Sequence, residues 1–256
     1  MWQKRTLAEQ ITTFAAYYRE ATRLRSLYAD RITLLVGFET EWIHDGNSLP
    51  LITSLLLQYS FDMFVGSIHH VRGIPIDFSR ADYERARAMV GGTDASIAVA
   101  YLDEQLEMLE ALRPPIVGHF DLIRLLSDDP NRSLRELGDE VWRRVERNVR
   151  IIIEYGGVVE LNSAAIRKGM KEPYPGRDIC EMILSLGGRF ALSDDSHGVE
   201  QVGQNFDKVL DFAAQVGIER LHYLDVELLP SIGVVERKVV TRDMLVAETR
   251  LAFGEI

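Results

Sequence analysis

Short apolar runs alternate with amphipathic helical stretches along almost the whole chain, and that order leaves few folds open. Residues 31–37, 61–67, 116–118, 158–161, 189–192 and 221–224 are brief and apolar, as in strands covered on both faces. Helical patterns separate them. Over residues 2–28, Leu7, Ile11, Phe14, Tyr18, Ala21 and Leu24 recur at three- and four-residue spacing. Residues 47–57 read as a helix capped by Asn47 or Ser48, and 95–112 as one stopped by Pro114-Pro115. Residues 133–155 read as a helix with a capping-box start at Ser133 and Glu136 and a Gly156-Gly157 stop. Helices are also predicted over 178–186, 199–216 and 241–253, and a long loop or lid with a short helix over 71–94. Alternation of this kind implies parallel strands joined by right-handed crossovers, closed into a barrel or spread as an open doubly wound sheet. No Gly-rich dinucleotide fingerprint and no phosphate-cradling loop is present, which weakens the nucleotide-binding version of the open sheet. With 256 residues, 46% of them hydrophobic, and no linker or repeat, residues 1–256 are expected to form one domain.

The net charge of -10 argues against nucleic acid and anionic membranes, which need clustered Lys and Arg. A small substrate is the better expectation. An anionic one would need local positive charge, from metal ions or arginines, against the global field. The single cysteine, Cys180, lies in a helical pattern; it excludes a disulfide framework and reads as a buried, inert thiol. The N-terminal residues open directly into a helix, without a secretory signal or bilayer-spanning run, so the cytoplasm is the expected location.

Most of the chemical information sits at the strand ends. Residues 35–38 run into Glu39, and 64–68 into His69-His70. Residues 116–118 run into His119, with Asp121 two further on; 158–159 run into Glu160, with Asn162 next but one. Residues 190–192 lead to Ser193-Asp194-Asp195-Ser196-His197. In a parallel barrel the carboxyl ends of the strands meet on one face, where catalytic groups gather. Imidazole and carboxylate together are ligands for zinc, manganese or iron. A spacing of two, as in His119-x-Asp121 and Asp195-x-His197, places both side chains on one face of an extended segment. Taken singly, each histidine or carboxylate reads more simply as a satisfied core, cap or surface group; jointly, that reading requires the same coincidence at five strand ends. His44 and His222 fall outside the pattern. Arg167-Lys168, shortly after Asn162, is a basic pair suited to holding phosphate, and Arg72 is a further candidate; Lys171 and Arg177 are weaker ones.

At these motifs the chain resembles the polymerase and histidinol phosphatase family, and within it the histidinol-phosphatases of fungi and bacteria. The resemblance is carried by residues 37–42 (GFETEW), 65–71 (VGSIHHV), 73–77 (GIPID), 118–121 (GHFD), 160–162 (ELN) and 192–197 (LSDDSH), and spans about residues 10–225. It implies a (β/α)7-like barrel with two or three divalent metal ions (Zn, Mn or Fe) that hydrolyses L-histidinol phosphate in histidine biosynthesis. By motif, Glu39 would bridge metals, His69 and His119 would be ligands, and Asp195 and His197 would close the site and take part in catalysis. Arg167 would contact phosphate, with Lys168, Asn162 and Arg72 as further substrate contacts.

The family usually opens with a strand carrying His-x-His, and no such motif occurs in this sequence. The resemblance therefore predicts a barrel lacking its first one or two strands. It leaves open a non-catalytic remnant, and beside it an amidohydrolase-like metal hydrolase; the acidic charge disfavours a nuclease or editing role.

Overall fold

The computed structural model describes residues 7–44, 47–231 and 234–253. In chain order the elements are α1 (Leu7–Leu27), β1 (Gly37–Glu41), α2 (Ser48–Gln58), β2 (Met63–Ser67), β3 (His70–Val71), β4 (Ile74–Pro75), α3 (Arg80–Met89), α4 (Asp94–Leu112) and β5 (Ile116–Val117). They continue with α5 (Asp139–Tyr155), β6 (Val158–Asn162), α6 (Ala164–Arg167), α7 (Arg177–Ser185), β7 (Arg189–Ser193), α8 (Phe206–Val216), β8 (Arg220–Ser231), β9 (Val234–Leu245) and α9 (Val246–Phe253).

Five strands form one parallel sheet in the order β1-β2-β5-β6-β7. Each new strand adds at the same edge. A doubly wound sheet reverses at a switch point, whereas stepwise addition with right-handed crossovers is barrel winding and sends every helix to one face. The helices accordingly lie side by side, α4 on α5, α5 on α7 and α7 on α8. The core between sheet and helices is built from residues such as Ile97, Leu109, Val149, Val159, Ile183 and Phe190. Strand β6 is buried at all five positions, as its continuous apolar run predicts for a central strand.

Several boundaries differ from the sequence-based expectation. The first strand begins at Gly37, because Asp62 takes both polar groups of Val36: its carboxylate accepts from the Val36 N–H (2.7 Å) and its own N–H donates to the Val36 carbonyl (2.8 Å). The ladder then starts at Gly37 opposite Met63, so Glu39 sits inside the strand rather than beyond its end. The helix expected from Ser133 is broken at Gly138, whose φ of 113° favours glycine; Ser133 caps a short 3-10 turn and α5 starts at Asp139. The apolar run 221–224 is no sixth parallel strand. It belongs to β8, which pairs antiparallel with β9 in a twelve-residue ladder and lies against β7. Residues 241–245 complete that ladder, which delays the final helix to Val246. The expected helix start at residue 2 lies outside the described residues.

Helix α1 rests on β1 through aromatic contacts of Phe14 and Tyr18 with Phe38, Tyr59 and Phe61, and the Tyr17 hydroxyl donates to the Gly37 carbonyl. A cavity of about 780 Å³ remains between α1, β1 and α2, and among the described residues Glu39 is the one charged residue in its lining. No helix among the described residues is long and apolar enough to cross a membrane.

Candidate metal centre

The parallel register brings the carboxyl ends of β1, β2 and β5 together. Glu39 stands on β1, His69 lies just beyond β2, and His119 just beyond β5. One donor atom from each of the three lies within 4.8 Å of the others, the one such group among the described residues. His119 Nε2 is 3.0 Å and His69 Nε2 3.5 Å from the same oxygen, Glu39 Oε1. The two rings meet edge to face with centroids 4.7 Å apart.

Close approach at this point depends on a missing side chain. A Cβ on Gly118 would lie 2.3 Å from Ser67 Oγ and 2.9 Å from Val65 Cγ1, so only glycine lets β5 lie this close to β2 immediately before His119. The His119 backbone is held by Glu160, whose buried carboxylate accepts its N–H at 2.7 Å.

Glu41 completes the arrangement, and it is the residue that strand-end reasoning overlooked. One of its carboxylate oxygens is 3.0 Å from His69 Nδ1 and the other 3.0 Å from His70 Nδ1. A carboxylate on the far nitrogen of a ligand histidine orients the ring and makes it a better donor. Two-residue spacing from Glu39 puts Glu41 on the same face of β1, the signal that could have found it.

The charges are tightly matched. Burial alone would raise the pKa of Glu39, but the adjacent His119 and His69 imidazoles outweigh it and hold the carboxyl at about 2. Burial is likewise overcome at Glu41, which His69 and His70 hold at about 2. Burial opposes charge on His69, yet the Glu41 and Glu39 carboxylates push its pKa up to about 9. A shared carboxylate oxygen with two imidazole nitrogens turned toward it is an arrangement that a cation could share.

The donors fit a divalent ion. They are two imidazole nitrogens and a carboxylate oxygen, the mixed set that zinc and its neighbours take. A tetrahedron with bonds of ~2.0–2.1 Å has edges of roughly 3.3–3.4 Å. The separations of 3.0 and 3.5 Å bracket that length.

The remaining candidates sit differently. Asp195 and His197 lie on the loop after β7, outside the three-residue group; their side chains approach to 3.6 Å, and His197 is 76% exposed. The Asp195 charge acts on Tyr174, whose ring centroid is 6.3 Å from that of His119, so this loop borders the same face. Arg167 donates to the carbonyls of Asp194 (2.8 Å) and Asp195 (2.9 Å), and so holds that loop. Lys168 is exposed at the end of α6. Asn162 is buried; its side-chain oxygen accepts from Ala164 N (2.8 Å), and its backbone bridges to Tyr174. Arg72 occupies the hairpin tip between β3 and β4, beside Glu104 of α4, which accepts its backbone N–H at 3.0 Å.

Asp121 does not join His119 as a ligand. Fully buried, it pairs with Arg124 (2.7 Å) and accepts from Gly176 N (3.0 Å). The chain has left the strand by then and enters a 3-10 turn at Leu122, so the two-residue alternation no longer applies. Among the weaker candidates, Arg177 pairs with Glu172 (3.6 Å), and Lys171 lines a separate pocket with Asp121, Arg124 and Arg177. His44 bonds Glu107 at 2.7 Å, and His222 lies in β8, so both stay outside the centre. Cys180 is buried, donates to the Pro175 carbonyl, and burial pushes its thiol well above the usual range.

Fold and donors together define an α/β protein of barrel winding with a divalent-metal centre at the carboxyl ends of its strands. The PHP domain family matches residues 6–164, and the chain belongs to that family. It is 39% identical over 209 residues to the probable histidinol-phosphatase of Schizosaccharomyces pombe, covering 82% of this chain and 68% of that one. Identity to the histidinol-phosphatase of Saccharomyces cerevisiae is 33% over 244 residues, covering 84% and 72%. Among solved structures, the HisK protein of Listeria monocytogenes superposes with a TM-score of 0.68 at 23% identity, covering 77% of this chain and 76% of that one. The Lactococcus lactis histidinol phosphate phosphatase, solved with zinc, L-histidinol and phosphate, gives 0.60 at 16% identity, covering 82% and 76%.

Proposed function

We infer that the chain is a metal-dependent phosphomonoesterase that converts L-histidinol phosphate and water to L-histidinol and phosphate, a step of histidine biosynthesis. The observation that carries this reading is the Glu39–His69–His119 group with Glu41 behind it, in a chain 39% identical to a relative named for that activity. A divalent cation bound there would supply Lewis acidity, offsetting phosphoryl charge and making water a nucleophile near neutral pH.

The chain's own residues have separable tasks. Glu39, His69 and His119 supply the donors, and Glu41 fixes the His69 ring. Through Arg167, the loop after β7 is held beside them. His197 Nδ1 donates to the Asp195 carbonyl at 2.9 Å, which leaves Nε2 to face the substrate; in the imidazolium form Nε2 would pass its proton to the departing alkoxide oxygen and leave the neutral ring. The Asp195 carbonyl orients that ring, and its carboxylate is the candidate ligand for a further cation in this reading. Lys168, Asn162 and Arg72 are secondary substrate contacts in this reading, because Asn162 already supports α6 and Arg72 already meets Glu104. The reaction runs within one domain over residues 1–256, in the cytoplasm.

The test is phosphate release from L-histidinol phosphate by chelator-treated protein before and after Zn or Mn is restored. Release that stops on chelation and returns with metal is expected. A metal-loaded protein that releases no phosphate would favour the remnant, and turnover of N-acyl substrates in its place an amidohydrolase-like enzyme.

A further inference from the structure

Five carboxylates surround the imidazoles, and four have partners. Glu39 and Glu41 face histidines, Glu160 accepts the His119 N–H, and Asp195 lies beside His197. Asp77 is the exception: among the described residues no hydrogen bond or ion pair reaches its side chain.

Its position is set by the backbone. Strands β3 and β4 fold back with His70 opposite Pro75, and Ile76 N donates to the His69 carbonyl at 2.9 Å. Ile76 is fully buried, and the next residue, Asp77, emerges half-buried beside the centre. Its charge acts on His69 and on the buried phenols of Tyr101 and Tyr174. Among the described residues, no arginine near the centre is free to neutralise it. Arg72 lies beside Glu104, Arg124 pairs with Asp121, and Arg167 holds the Asp194 and Asp195 carbonyls. Asp77 is also outside the donor group that would share one cation.

Apart from the His69 imidazole, on which its charge acts, no hydrogen bond or ion pair among the described residues engages this half-buried carboxylate, so it is open to a cation that arrives from outside. The phosphatase reading, on which this inference rests, supplies one, because L-histidinol phosphate carries a protonated amine as well as its phosphate. We propose that Asp77 receives the ammonium group of the substrate, so that the site selects phosphomonoesters that bear an amine. Phosphate at the metal centre and ammonium at Asp77 would then fix the two ends of one small molecule.

The experiment compares kcat/KM of the metal-loaded enzyme and its Asp77→Asn variant on L-histidinol phosphate and on phenyl phosphate, which has no amine. The preference for L-histidinol phosphate, as the ratio of the two constants, is expected to fall roughly ten- to hundredfold, mainly through KM, because a charge-assisted bond to one substrate is lost. An unchanged ratio would overturn the proposal, whether both activities persist or both fall together; the latter outcome would make Asp77 a metal-site or folding residue. A wild-type enzyme that hydrolyses phenyl phosphate but not L-histidinol phosphate would remove L-histidinol phosphate as the substrate, and this inference with it.

Discussion

Replacing Glu39 with glutamine is expected to lower kcat/KM for L-histidinol phosphate by on the order of a thousandfold or more, while the protein remains folded. The substitution keeps the shape of the side chain and removes the anion toward which both imidazoles turn. Without it, His69 and His119 are left as two imidazole donors with no carboxylate in their own group to offset a divalent ion. The several kcal/mol that a bound cation contributes to phosphoryl charge stabilisation is then lost, at about 1.36 kcal/mol per factor of ten. Glu39 is 39% exposed, so the core does not depend on it. Steady-state kinetics, metal content after dialysis and a melting curve together check the prediction. A variant that keeps wild-type activity would contradict it.

Replacing Asp121 with alanine is expected to do the reverse and act on the fold first. Its carboxylate and the Arg124 guanidinium form a pair that is 0% and 5% exposed. Burial pushes the Asp121 pKa up, and Arg124 with the Gly176 N–H opposes that shift. Removing one member leaves Arg124 buried with only the carbonyls of Pro130 and Pro173 as acceptors. Breaking a buried pair in this way costs about 3–5 kcal/mol. For a chain of this size that corresponds to a fall in melting temperature of roughly 6–20 °C. A fall of a degree or two would show that the pair is not holding the turn after His119. Together the two variants separate a residue proposed to serve the reaction from one, two positions past His119, that serves the structure.

That contrast shows where sequence reasoning reaches and where it stops. His69 and His119 are legible because each comes directly after an apolar run, and parallel winding brings strand ends together whatever their separation in sequence. Glu39 is legible by motif, although the strand holding it starts later than its apolar run, because the Asp62 contact that terminates the ladder comes from a residue 26 positions away. Asp121 misleads because a two-residue spacing carries meaning only while the chain stays extended. Glu41 and Asp77 lie inside the matching motifs, but only coordinates show that one bonds two imidazoles and that the other, among the described residues, has no hydrogen bond or ion pair. The same holds for Arg167: a basic residue above a metal centre suggests phosphate, and local sequence does not reveal that it also donates to two carbonyls of the loop after β7. The β8–β9 hairpin escapes because pairing across twelve positions per strand is a non-local property, and residues 241–245 carry no signal that the strand continues through them.

The most direct test is a crystal structure of the zinc-loaded protein with anomalous data at the zinc edge. A peak bonded to Glu39 Oε1, His69 Nε2 and His119 Nε2 at about 2.0–2.2 Å is expected, with Glu41 still on His69 Nδ1. Zinc bound elsewhere, with these two imidazoles turned away from Glu39, would contradict it.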